Sequence, residues 1–395
     1  MKDKIILITW PYVFREFDYF RFEIRSLERE FKSKVIIHEL VDIIFPNFKK
    51  AYFTSRCSNK VYRFHSFFTW RKEFRYLVNK YPKILIISDI YSTNLFSFLI
   101  NVEIKNSKRN VLQYAASKGQ PGNWDLHYSK INFYNLFNIN KIINFANNNL
   151  FNFLANWLKL YPSHCLLAGS KNFKINYNNK VKLIKANTFD YSNYITYRKY
   201  KIQRKEKFAI YLDSPTPLFD GDNLMDNSHK ESYLTISKWY PRLNMFFDNI
   251  EKLLNIKIKI SAHPKIDSFK TKNILKKIFY NREILSKRPI YYLDNAKCII
   301  SKDSSGFSFA VIKRIPSIII TSNELIKNYR FISSQNILAK ELGTNLLNID
   351  DNFCSKKFLQ AFKVNTKKYL EYKFKHQTSL RNFKSNYKII GENFL

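Results

Sequence analysis

The chain has 395 residues, enough for two hydrophobic cores, because single cores rarely grow past about 250–300 residues. Its hydrophobic share of 45% falls in short blocks between polar stretches, a pattern that excludes a disordered chain. Lys and Arg number 67 against 31 Asp and Glu, a net charge of +36 that draws a protein toward polyanions.

In chain order, Met1-Lys2-Asp3-Lys4 leads into Ile5-Ile6-Leu7-Ile8-Thr9-Trp10, too short an apolar stretch for a signal peptide. No run approaches the ~20 apolar residues that span a bilayer. The expectation is a cytoplasmic protein, either free or on the inner face of the plasma membrane. Strands are predicted at Lys4–Trp10, Lys34–Leu40, Lys83–Asp89, Arg109–Tyr114, Cys165–Ala168 and Lys180–Ala186. Helical patterns between them cover Tyr19–Phe31, Trp70–Asn79, Asn94–Val102 and Ile142–Leu160. From Tyr191 to Lys207, Tyr and basic residues recur without a clean period. This stretch reads as an interdomain linker, the alternative being an exposed basic helix of the first domain.

The rhythm then restarts. Strands are predicted at Phe208–Leu212, Ile256–Ser261, Cys298–Ser301 and Ser317–Thr321, with helices near Glu231–Leu254, Phe269–Tyr280 and Phe307–Arg314 and a helical, basic tail from Asn352. Alternating β and α elements predict an α/β chain of two Rossmann-like domains with parallel sheets. The expected division is 1–195 for an acceptor-side domain and 196–395 for a nucleotide-binding domain, with the last helices packing back on the first. Cys57, Cys165, Cys298 and Cys354 are far apart, so neither a disulfide framework nor a zinc site is expected. No GxGxxG or Walker-type loop is present, which disfavours NAD and ATP chemistry.

Three motifs fall directly after predicted strands of the second half. In Tyr211-Leu212-Asp213-Ser214-Pro215, an acid at a strand end is placed to act as a general base. It equally suits a turn cap. In Ser261-Ala262-His263-Pro264-Lys265, Pro264 fixes the backbone while His263 and Lys265 offer donors to a phosphate. In Asp303-Ser304-Ser305-Gly306-Phe307, hydroxyls meet the free N–H groups of a helix start, which suits an anion. The plainer role of Ser304 is an N-cap. On the first half, Asp89 after its strand and His127 in Asn123-Trp124-Asp125-Leu126-His127-Tyr128 are candidates to hold an acceptor.

The order strand–Asp, strand–His-Pro, strand–Ser-Ser resembles bacterial sialyltransferases and capsule polysialyltransferases of the GT-B fold. Phe246-Phe247, Glu251, Phe309-Ala310, Thr188-Phe189-Asp190-Tyr191 and Ile8-Thr9-Trp10 also look like glycosyltransferases encoded with surface-polysaccharide genes. The resemblance implies two domains facing across a cleft and an inverting, metal-independent glycosyl transfer without a cofactor. Under it, Asp213 takes the acceptor proton and His263, with Pro264 and Lys265, binds the donor phosphate and assists its departure. Ser304, Ser305 and Gly306 hold the same phosphate. The acidic motif departs from the pattern, lacking a second acid and the Gly, so Asp220 or Asp222 of Asp220-Gly221-Asp222 is the alternative base.

The implied donor is a CMP-activated nonulosonic acid (sialic, legionaminic or pseudaminic), with CMP-Kdo next and a UDP- or GDP-sugar as the further alternative. The implied acceptor is a lipid-linked or surface glycan of capsule or lipopolysaccharide. Basic residues are spread along the chain rather than gathered in one arm, which favours an anionic membrane surface over nucleic acid. A nucleic-acid-binding protein without activity stays as a reading from another class, since aromatic residues at 17% could stack on single strands.

Overall fold

A computed structural model describes residues 4–46, 60–114, 139–171, 180–200, 202, 204–218, 234–264 and 269–395. Two parallel sheets organise them. The first has seven strands in the order β3-β2-β1-β4-β5-β6-β7: β1 Lys4–Trp10, β2 Ser33–Glu39, β3 Val61–Arg63, β4 Leu85–Ser88, β5 Asn110–Gln113, β6 His164–Ala168 and β7 Lys182–Ala186. The second has five, ordered β12-β11-β10-β8-β9: β8 Phe208–Leu212, β9 Lys257–Ser261, β10 Ala296–Ser301, β11 Ser317–Thr321 and β12 Leu346–Asn348.

Side chains alternate across a strand, so a sheet covered on both sides needs apolar residues at every position. The central strands β1 and β4 of the first sheet largely obey this. Ile6, Ile8, Val35, Ile37 and Leu85 face one core, and Ile5, Leu7, Ile36, Ile84 and Ile86 face another. In the second sheet Ala209, Tyr211, Ile258 and Ile300 face one core while Phe208, Ile210 and Ile299 face the other. Cys165 and Cys298 are buried small core residues, as their apolar surroundings predict.

The structure corrects two sequence expectations. The single helix expected over Tyr19–Phe31 is two, Glu16–Arg21 and Ile24–Phe31, broken where Glu23 takes a left-handed φ of 53°. Glu23 is fully buried and accepts hydrogen bonds from Ser192 Oγ (2.7 Å), the Tyr387 N–H (3.2 Å) and Thr196 Oγ1. Burial pushes its carboxyl up to about 7, against those three donors. Second, the stretch read as a linker begins as helix Phe189–Tyr197, capped by Thr188. Phe189 packs into the first sheet's core and Tyr194 and Tyr197 against a core of the second. A helix buried on two sides has no single apolar stripe, which is why no period was visible.

The C-terminal helix Asn386–Phe394 lies on the first sheet's side, with Tyr387, Ile389 and Ile390 in its core. Asn386 and Asn187 exchange hydrogen bonds of 2.9 and 2.8 Å. Gly391 is required there, because a Cβ would lie 2.0 Å from the Phe31 ring.

Candidate functional site

In an open parallel sheet, ligands bind beyond the strand C-termini where the strand order reverses. In the second sheet that point lies between β8 and β10, since the chain leaves β8 for β9 on one side and β10 lies on the other. Leu212 is paired with Ser261, the Asp213 N–H donates to the Ser261 carbonyl (3.0 Å), and Ser301 Oγ donates to the Leu212 carbonyl (2.9 Å). Three neighbouring strands therefore end level. Asp213, His263 and Pro264, and the run from Lys302 to Gly306 leave the sheet at one edge. Lys265, Asp220, Asp222 and His127 lie outside the described residues.

Asp213 is only 4% exposed. Its strand position gives it the parity of Ala209 and Tyr211, which face the core beneath helix Ile236–Leu254. Burial raises its carboxyl to about 7, with Asp303 adding to the rise. The Ser214 N–H and the Lys302 ammonium oppose it. Oδ2 has no hydrogen-bond partner among the described residues. A carboxyl titrating near neutrality can take a proton at working pH.

Lys302, which the sequence reading overlooked, is 1% exposed. Its Nζ donates to Thr216 Oγ1 (2.5 Å) and the Thr216 carbonyl (3.1 Å), with the Trp239 ring 5.7 Å away. Burial lowers its pKa, opposed by Asp303 and Asp213. Its spacing did not mark it: a lysine just past the apolar run Cys298-Ile299-Ile300-Ser301 ordinarily extends its ammonium to water.

His263 and Pro264 are half-buried, as is Ser304, while Ser305 is exposed. Ser304 Oγ accepts the Gly306 N–H at 3.0 Å, and Gly306 itself opens helix Phe307–Lys313 as its N-cap. A Cβ at Gly306 would meet Leu212 Cδ1 at 2.4 Å, so the Leu212 side chain would have to move to admit one. Ser305 hydrogen-bonds the carboxylate of Asp190. Burial raises the Asp190 carboxyl, and the Arg21 guanidinium and Ser305 oppose the rise. Asp190 follows β7 and Ser305 follows β10, so the C-terminal edges of the two sheets meet here. Asp190 stands in a motif noted in the sequence, but its approach to Ser305 had no local signal.

On the first sheet the order reverses between β1 and β4. Asp89, directly after β4, sits half-buried at that point. At the neighbouring ends of β2 and β3, Arg63 forks onto Asp42 with two bonds of 2.6 Å and reaches Glu39 at 3.4 Å. His65 Nδ1 meets Asp42 Oδ2 at 2.5 Å. Burial would raise the Asp42 carboxyl, but Arg63 and His65 outweigh it and hold it below the ordinary value.

No protein-family profile and no curated protein matches this sequence. Solved structures do. A variant of the wall teichoic acid polymerase TagF aligns over 99% of this chain and 88% of its own, with 12% identity and a TM-score of 0.56. A second TagF variant has 11% identity over the same shares and a TM-score of 0.55. The UDP-GlcNAc 2-epimerase from Methanocaldococcus jannaschii covers 99% of this chain and 98% of its own at 14% identity, with a TM-score of 0.49. At these identities the TagF likeness is one of fold. The fold is of the GT-B type: two Rossmann-like α/β domains with parallel sheets.

Proposed function

We propose that the chain is an inverting, metal-independent glycosyltransferase that moves a nonulosonic acid from a CMP-sugar to a lipid-linked or surface glycan. The observation that carries this reading is that Asp213, His263-Pro264 and Ser304-Ser305 leave three adjacent strands at one edge. In the step, the acceptor oxygen bonds to the anomeric carbon as the bond from that carbon to the phosphate oxygen breaks. The acceptor proton passes to Asp213, and CMP departs with the charge. His263 and the Ser304 hydroxyl are the donors assigned to that growing charge, joined by Ser305 once its hydroxyl turns away from Asp190, and fixed donors aimed at such charge lower the barrier. Lys265 and Gly306 belong to the same phosphate-binding group, and Asp89 and His127 to the acceptor side. TagF, soaked with CDPG in one structure, offers a parallel for a cytidine nucleotide on this fold. CMP-Kdo, and then a UDP- or GDP-sugar, are the alternative donors.

The burial of Asp213 favours one variation: Asp220 or Asp222 takes the proton in its place. The chain works on the inner face of the plasma membrane in capsule or lipopolysaccharide synthesis. Released CMP tests the proposal, using CMP-sialic acid and CMP-Kdo with water as a poor acceptor. Wild type is expected to release CMP from at least one donor, and Asp213→Ala to lose about 100-fold or more, the scale of a general base. Equal turnover in both proteins removes Asp213 from the mechanism. Loss in Asp220→Ala alone moves the base there.

A further inference from the structure

Three helices on one side of the first sheet leave large apolar side chains in solvent. Helix Phe67–Lys80 buries Trp70, Phe74 and Leu77 but exposes Phe68 (76%) and Tyr76. Helix Leu95–Asn106 exposes Leu95 and Phe96. Helix Ile139–Trp157 exposes Leu150, Phe153 (66%) and Trp157 (70%). The spacing i, i+3, i+7 places those three on a single stripe.

The helices lie side by side. Phe98 packs on Phe151 with ring centroids 5.6 Å apart, and Lys105 Nζ donates to the Leu158 carbonyl. On the other flank Arg71 and Arg75 both bond Glu103, the former at 2.7 Å. These contacts set Leu150 and Phe153 level with the first half of helix Leu95–Asn106, and Phe68 close to the same level. Phe68, Leu95, Phe96, Leu150 and Phe153 are thus exposed at a similar level of three neighbouring helices, with Trp157 one turn further along the same stripe, and exposed apolar groups gathered in this way mark interaction sites.

The charge around this group is one-sided. Lys72, Arg75, Lys80, Lys105, Lys108 and Lys159 are exposed around it. Of the two carboxylates on these helices, Glu103 is buried beneath Arg71 and Arg75 and Glu73 is half-buried. Helix Ile139–Trp157 has no acidic residue. Aromatic and Leu side chains ringed by cations match an anionic lipid surface, in which rings enter the interface and ammonium groups meet phosphates. Among the described residues no helix is long and apolar enough to cross a membrane.

We infer that this three-helix face docks the protein on an anionic phospholipid bilayer. The inference rests on the proposed reading in one respect, the lipid-linked acceptor. Phe68 and Leu95 begin their helices just past β3 and β4, at the strand edge that carries Asp89. Docking by this face holds that edge beside the bilayer, where a glycan rising from a lipid would enter.

Flotation of the full chain with vesicles tests it, without nucleotide or acceptor. Wild type is expected to float with equimolar phosphatidylcholine and phosphatidylglycerol and to stay below with phosphatidylcholine alone. The double variant Phe153→Ser/Trp157→Ser should bind the anionic vesicles at least about tenfold more weakly, from the apolar area withdrawn. Its thermal unfolding should match wild type, since both side chains are exposed. Tyr329→Ser, an equally exposed aromatic (78%) on the second domain, should bind as wild type does. Unchanged binding by the double variant, equal loss in Tyr329→Ser, equal binding to neutral vesicles, or no binding at all would overturn the docking face. CMP release in vesicle-free buffer is read separately, so a failed donor assay leaves the docking result standing and the converse also holds.

Discussion

The C-terminal edges of the two sheets hold their charges in opposite ways. At the first, Arg63 neutralises Asp42 and approaches Glu39, and His65 closes the group. At the second, Asp213 and Lys302 are both almost fully buried, and Lys302 spends its ammonium on Thr216 rather than on the Asp213 carboxylate. A buried charge with its partner in place is structural. A buried carboxyl with an oxygen that lacks a partner among the described residues costs stability and is a candidate for chemistry.

The contrast is open to test. Breaking the first group should cost most in folding and least in function. Arg63→Ala leaves Asp42 buried and short of its main partner, a loss of about 3 kcal/mol in urea unfolding, while CMP release per folded molecule stays unchanged. If Arg63→Ala instead abolishes release without loosening the fold, the two edges do not differ as described.

At the second edge stability depends on pH in the direction opposite to that at the first, where Asp42 is held below its ordinary value. The Asp213 carboxyl is raised from its ordinary value of 3.8 to about 7. Its neutral form is favoured by folding, so the stability it contributes is present below pH ~4 and is lost as pH rises toward ~7. The stability of wild type relative to Asp213→Asn should therefore fall by about 3 kcal/mol between pH 5 and pH 8. Glu23 titrates in the same window but is common to both proteins and cancels. A flat difference would mean that Asp213 is not buried as described.

The smallest effect is expected at Ser304. Its Oγ accepts the Gly306 N–H, and its O–H is proposed to donate to the donor phosphate. Ser304→Ala should lower CMP release about tenfold, the worth of one hydrogen bond to a charged group, without moving the urea midpoint by a comparable amount. Unchanged release assigns Ser304 to its turn alone.

How much of this was legible beforehand varies with the range of the forces involved. Lys4–Trp10, Phe208–Leu212 and Ser317–Thr321 were read residue for residue, because a strand buried on both faces must be apolar throughout and turn residues bound it. The three-residue strands β3 and β12 have no counterpart among the predicted strands, because Val61–Arg63 and Leu346–Asn348 are too short to carry a pattern. Asp213, His263 and Ser304 could be singled out because residues after buried strands fall at one edge of any parallel sheet. The alternation of apolar and helical segments therefore set the fold class and the level of the candidate residues. Only the tertiary structure decided that Asp213 turns inward, that Lys302 lies beneath the same edge, that Asp190 reaches Ser305, and that Glu23 ties the C-terminal helix to the first domain. Those contacts join residues far apart in the chain, and burial and pairing at such distances leave no trace in local spacing.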